Sequence, residues 1–160
     1  MDQATQLFED GGDWERKNKF KVYEAVYLML IRQFKSAADN LIDTLATFTA
    51  TELFDYQTFV YYTVVMSMVS MDRATIRSKV VHAPEILSVI REMPHLRKFM
   101  ESLFKCEYAE FFKAFVEIMD MVSKDVYLST HSRYWAREMR VVAYSQFLEA
   151  YRSVTIASMA

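Results

Sequence analysis

Residues 20–48, FKVYEAVYLMLIRQFKSAADNLIDTLATF, decide the fold class. Phe20, Tyr23, Tyr27, Leu30 and Phe34 recur at three- and four-residue steps, which places them along one face of an α-helix. Val22, Ala25, Val26, Leu28 and Met29 spread that face around most of the cylinder, as in a helix packed on several sides within a stack. KSAADNLIDTLATF follows with almost no loop and sets Ala37, Ala38, Leu41, Ile42, Leu45 and Phe48 on a second broad apolar face. Two such helices with a tight connection form an antiparallel hairpin. Ala25, Ala37 and Thr44 are small where a tetratricopeptide-like hairpin lets its helices approach, and Phe34 is near the aromatic position before the second helix. This partial match covers one hairpin and points to a helical solenoid.

The rest of the chain agrees with an all-α architecture of stacked hairpins. Among 160 residues there are only two glycines and two prolines against 52% hydrophobic side chains, so tight turns are scarce and long helices with short connections suit the composition. No stretch alternates with period two long enough for a strand. One domain with a sizeable core fits the length. The formal charge of -2 supplies no bulk attraction for nucleic acid or an anionic membrane. A lone cysteine, Cys106, excludes a disulfide framework within the chain and suits a reducing compartment. The acidic start lacks the n- and h-regions of a secretory signal, and FVYYTVVMSMV is too short and too polar to span a bilayer. A soluble intracellular protein is expected.

Gly11-Gly12 and Asp13 predict a helix end followed by a new N-cap. Thr49 and Glu52 have the spacing of a capping box, predicting a helix from about Leu53 to Met71 with Phe59, Val60, Val64, Met68 and Met71 inward. Asp72 is expected to break that helix and cap a short ATIRSKVV helix, and Pro84 and Pro94 each fit a first helical turn. EYAEFFKAFVEIMDMVSKD places Tyr108, Phe111, Phe112, Phe115, Met119 and Val122 on one side. In the last long helix Tyr134, Val141, Tyr144, Leu148 and Tyr151 repeat at steps of three, four or seven.

Signals for chemistry are weak. No phosphate-cradling glycine motif is present, His82, His95 and His131 lack metal-ligand spacing, and no second cysteine completes a zinc set, so neither a metal nor a cofactor is expected. Cys106 sits at a helix junction and is expected to be a small packing residue rather than a nucleophile. Asp39/Asp43 and Glu117/Asp120 share helix faces, but nothing apolar isolates one acid of each pair. No catalytic residue is assigned, and the chain is not expected to be an enzyme. Arg133, Arg137 and Arg140 form a basic stripe interleaved with Tyr134 and Trp135. Such a stripe could bind RNA by charge and stacking. A protein contact, or a solvated face whose arginines meet Glu138, Glu149 or an acidic neighbour, fits the negative net charge better.

At the end of the sequence Val154, Ile156 and Met159 continue an apolar helical pattern with no glycine, asparagine or proline behind them. A packing surface is expected to continue there, covered by further chain or by a partner. GGDW (11–14), TFTATELFDYQTFV (47–60) and YSQFLEAYRS (144–153) carry a resemblance to the PCI family, shared among the proteasome lid, the signalosome and eukaryotic initiation factor three. Within it the chain is most similar to the subunit-seven branch of the lid. The resemblance implies a right-handed stack of hairpins (1–50) running into the helical part of a PCI module (51–160), the family's winged helix lying beyond Met159. It also implies a non-catalytic scaffold in ubiquitin-dependent degradation, cytoplasmic and nuclear, whose partners are other lid subunits and not small molecules, membranes or nucleic acid. A signalosome scaffold or an RNA-binding adaptor is the alternative. Expected contact residues are Arg133, Trp135, Arg137, Arg140, Tyr151, Val154, Ile156 and Met159, and the isolated chain is expected to self-associate.

Overall fold

A computed structural model describes residues 14–149. The expected helix end at Gly11-Gly12 and the cap at Asp13 lie outside the described residues. Among the described residues eight α-helices follow one another: α1 (Trp14–Leu30), α2 (Phe34–Asp43), α3 (Tyr56–Ser70), α4 (Arg73–Ile76), α5 (Pro84–Ile90), α6 (Pro94–Phe104), α7 (Tyr108–Lys124) and α8 (Ser132–Glu149). A π-helical stretch, Arg77–Val81, continues α4, and 3-10 turns occupy Leu45–Thr47 and Ser129–His131. There is no strand among the described residues, and no helix there is long and apolar enough to cross a membrane.

The opening hairpin forms as its periodicity requires. Lys21 pairs with Asp43 at 3.1 Å and Asn40 donates to Glu24 at 2.9 Å, so residue numbers rise along α1 as they fall along α2. Val22, Ala25, Val26 and Met29 meet Ala37, Ala38 and Leu41 in the core, where small residues let the helices close. α1 is not covered on all sides, however, because Tyr23, Tyr27, Leu30 and Ile31 are exposed. α6 and α7 form a second antiparallel hairpin, with Lys98 bonded to Glu110 at 2.7 Å and His95 to Glu117. Both hairpins turn through the same device. Gln33 N–H donates to Leu28 O and Arg32 N–H to Met29 O, while Glu107 N–H donates to Ser102 O and Cys106 N–H to Leu103 O. These are Schellman turns, and the left-handed position in each is held by a residue with a side chain, Arg32 (φ 63°) and Cys106 (φ 62°).

α3 is the axle. Residues from Phe59 to Val69 are all buried, and α2, α5, α6 and α8 pack around them. Three hydroxyls on this helix avoid the cost of burial by donating back one turn, Thr63 to Phe59 O, Ser67 to Thr63 O and Ser70 to Met66 O. The helix starts later than its expected capping box. Asp55, not Thr49, is the N-cap and accepts from Thr58 N–H at 2.8 Å. Glu52 instead receives the Tyr23 hydroxyl at 3.1 Å and lies 3.7 Å from Lys19, so tertiary partners outcompete the local cap. Asp72 caps α4 through Thr75 N–H, and Pro84 and Pro94 open α5 and α6.

α8 crosses the assembly from one hairpin turn to the other. At its start His131 Nε2 donates to Leu30 O at 2.7 Å, and Tyr134 contacts both Phe34 and the Arg32 guanidinium. Midway the Trp135 indole donates to Val65 O of α3. Near its end Gln146 donates to Leu103 O and the Tyr108 hydroxyl beside Cys106.

Candidate protein-contact surface

The phase of α8 decides which of its residues can meet a partner. Its buried side consists of Trp135, Ala136, Met139 and Ala143. The repeat of Tyr134, Val141, Tyr144 and Leu148 does not supply that side, since Val141 is 50% and Leu148 42% exposed. Trp135 is fully buried, 5.8 Å from the Phe115 ring and 6.1 Å from Phe99, and is thereby a core residue. Arg133, Arg137 and Arg140 are exposed on the far side. Expected pairs with Glu138 or Glu149 do not form, and no ion pair holds these arginines among the described residues. Arg140 lies over the Phe115 ring at 5.9 Å. The outer face of α8 therefore presents guanidinium groups among half-exposed aliphatic side chains, a composition suited to protein contacts, in which arginine is enriched. Tyr151, Val154, Ile156 and Met159 lie outside the described residues.

Other sequence candidates resolve into ordinary surface chemistry. Asp43 pairs with Lys21, Glu117 with His95, and Asp120 with Lys124 at 2.6 Å. Cys106 is exposed at its turn and does not pack into the core, contrary to expectation, because the Schellman geometry directs the chain outward there. The described residues contain no group of three or more metal-capable side chains. A carboxylate clamp that the sequence did not disclose joins α6 to α7: Lys98 and Lys113 hold the Glu110 carboxyl down to about 2, Lys113 having the larger effect.

The family model described as 26S proteasome subunit RPN7 matches residues 1–79. Similarity then extends over the whole chain, at 53% identity to the 26S proteasome non-ATPase regulatory subunit 6 of Oryza sativa subsp. japonica. Over its whole length the chain is similar to RPN7 proteins. The 26S proteasome non-ATPase regulatory subunit 6 homolog of Arabidopsis thaliana is 50% identical over all 160 residues, and the 26S proteasome regulatory subunit RPN7 of Saccharomyces cerevisiae 35% over 164 aligned positions. The chain spans 41% of the length of the two plant relatives and 38% of the yeast one. The likeness to RPN7 proteins extends over α8, beyond the stretch that the family model matches.

Proposed function

We propose that the chain acts as a non-catalytic scaffold in the regulatory particle of the 26S proteasome, offering helical surface to neighbouring subunits of the lid in ubiquitin-dependent degradation. It does so in the cytoplasm and nucleus, without cofactor or small-molecule substrate. The observation that carries this is likeness from end to end to proteins named as 26S proteasome regulatory subunits. The outer face of α8 supports it, since exposed arginines that form no ion pair among the described residues, with adjacent aliphatic side chains, are groups that a partner's carboxylates and apolar residues would cover. In this account residues 1–50 are the last solenoid hairpin, residues 51–160 are the helical part of a PCI module, and Tyr151, Val154, Ile156 and Met159 extend the contact surface begun by Arg133, Arg137 and Arg140. RNA binding is the weaker reading, because Trp135 is in the core and Tyr134 is already engaged by Phe34 and the Arg32 guanidinium, which leaves bases fewer aromatic platforms to stack upon.

Affinity purification of the tagged chain from cells, with subunits identified by mass spectrometry, tests the assignment. Regulatory-particle subunits are expected to co-purify, and Arg133→Glu with Arg137→Glu is expected to lower their recovery at least ~5-fold without changing the melting temperature, since both side chains are exposed. Recovery of RNA with a steep salt dependence, and no proteasome subunits, would falsify it.

A further inference from the structure

Arg73, Arg77 and His82 follow one another at steps of four and five residues, and the winding of the chain decides whether they share a face. Arg73 opens α4, and Arg77 stands one α-helical turn later. From Arg77 to Val81 the winding widens to π, and His82 N–H donates to Arg77 O at 3.3 Å, an i→i+5 bond. In an α-helix Val81 would follow Arg77 on that face; the extra residue in the π turn brings His82 there instead.

The result is an open cleft of about 540 Å³ lined by Arg73, Ala74, Arg77, Ser78, His82 and Phe104. Ligand clefts run from roughly 300 to 1,000 Å³, so this one has room for several groups of a ligand rather than a lone ion. No carboxylate lines it, and none pairs with Arg73 or Arg77 among the described residues. Asp72, next to Arg73, spends both its oxygens on Thr75, accepting the backbone N–H at 3.0 Å and the hydroxyl at 2.6 Å. Arg73 is fixed in advance, because its Nη2 donates to Phe104 O at 2.6 Å and its guanidinium lies over the Phe104 ring, 5.3 Å from the centroid. Its other N–H groups, the exposed Arg77 guanidinium and the exposed His82 ring are the donors of the cleft. Ser78 is not one of them, since its hydroxyl proton is shared between Ala74 O and Thr75 O.

We propose that this cleft binds an acidic segment of a partner protein, whose carboxylates accept from Arg77, Arg73 and His82 while the side chains between them rest on Ala74 and Phe104. Arginine and aromatic side chains are the groups that protein interfaces favour, and a carboxylate matches the guanidinium fork with paired bonds. Single-stranded nucleic acid fits less well. The one aromatic ring of the cleft already carries a guanidinium, and a net charge of -2 adds no wider pull on a phosphate backbone. No lining residue belongs to α8, so this site and the α8 surface stand or fall separately.

The test titrates the isotope-labelled full chain with an acetylated peptide of alternating glutamate and alanine, followed through backbone amide shifts. Saturable shifts centred on Ala74, Arg77, Ser78 and His82 are expected. Affinity should fall at least ~5-fold when glutamine replaces the peptide's glutamates, at least ~5-fold in Arg77→Glu and at least ~2-fold in Arg77→Gln. Both variants should melt at the wild-type temperature, because the Arg77 side chain is exposed; if Arg77→Glu does not fold, Arg77→Gln carries the comparison. Absence of saturable shifts, equal affinity for the glutamine peptide, or affinity unchanged in the folded Arg77 variants would each overturn the assignment. So would shifts centred on Arg133, Arg137 and Arg140, or tighter binding of a uridine oligonucleotide of the same length.

Discussion

Arg32 and Cys106 occupy backbone positions for which glycine is the usual choice, and they do so in a chain with only two glycines, both at positions 11–12. A left-handed L-residue brings its Cβ against the following carbonyl at a cost of roughly 1–2 kcal/mol. The two positions differ in what offsets that cost. Arg32 places its guanidinium 5.2 Å from the Tyr134 centroid, a contact worth about 0.5–1 kcal/mol at an exposed site. Cys106 has a weak 3.4 Å contact from Gln146, which has two better acceptors in Leu103 O and the Tyr108 hydroxyl, and a contact with that same hydroxyl. Cys106→Gly is therefore expected to stabilise the protein by about 0.5–1 kcal/mol after the added freedom of the unfolded chain is counted, whereas Arg32→Gly should stay within ~0.5 kcal/mol of wild type. Urea unfolding monitored by circular dichroism measures both. That a turn follows Ile31 and Lys105 could be read from the tight connections; that Arg32 and Cys106 sit at positive φ could not, because neither residue type announces it.

At the scale of elements, the existence of the helices was legible and their phase and start were not. For α3 the Thr49–Glu52 spacing alone reads as a cap, whereas the cap that forms is Asp55 with Thr58. The Tyr23 hydroxyl decides the matter by taking Glu52, a partner 29 residues away in the chain. In α8 two apolar series interleave, and the larger side chains of Tyr134, Val141, Tyr144 and Leu148 disguise the real core series. Trp135, Ala136, Met139 and Ala143 win because small residues let α8 close on α3 and α7 while one indole fills the gap among Phe99 and Phe115. Trp135, expected on the contact surface because it is interleaved with the arginine stripe, belongs to this core series. Asp55→Ala should cost about 1 kcal/mol, as removal of an N-cap does, and Asp55→Asn much less; Thr49→Ala should leave stability unchanged within ~0.5 kcal/mol. The Thr58 hydroxyl and amide hold the Asp55 carboxyl below its ordinary value. A folded-state pKa below the unfolded one means that this stabilisation is complete above the unfolded carboxylate range and fades as pH falls through the lower folded value. Denaturant midpoints collected from pH 7 down to pH 3 should therefore fall less steeply for Asp55→Asn than for wild type.

For the whole molecule, the inward-facing apolar surface is gathered around α3 into one continuous core reaching from Val22 to Ala143. α1 contributes to it with one side and leaves Tyr23, Tyr27 and Leu30 outside, at steps of four and three along one helix edge, with Ile31 exposed just after its end. Its nearly all-round apolar pattern was visible in the sequence, but what lies against the outer side is not encoded in local periodicity. Contiguous apolar surface of this kind favours association in water, and net charge of only -2 provides little repulsion to oppose it. The isolated chain is expected to self-associate, its weight-average mass in analytical ultracentrifugation rising with concentration above that of the 18.9 kDa monomer. Ammonium sulfate should strengthen the effect, because excluded salts favour apolar burial, whereas a charge-driven contact would weaken as ions screen it. Tyr27→Glu with Leu30→Lys should return the chain to monomer at little cost in stability, since Tyr27 is 47% and Leu30 44% exposed and neither belongs to the core. A wild-type chain that sediments as one monomeric species over a hundredfold range of concentration would mean that the α1 edge is tolerated by water, and that its tyrosines and leucine need no cover.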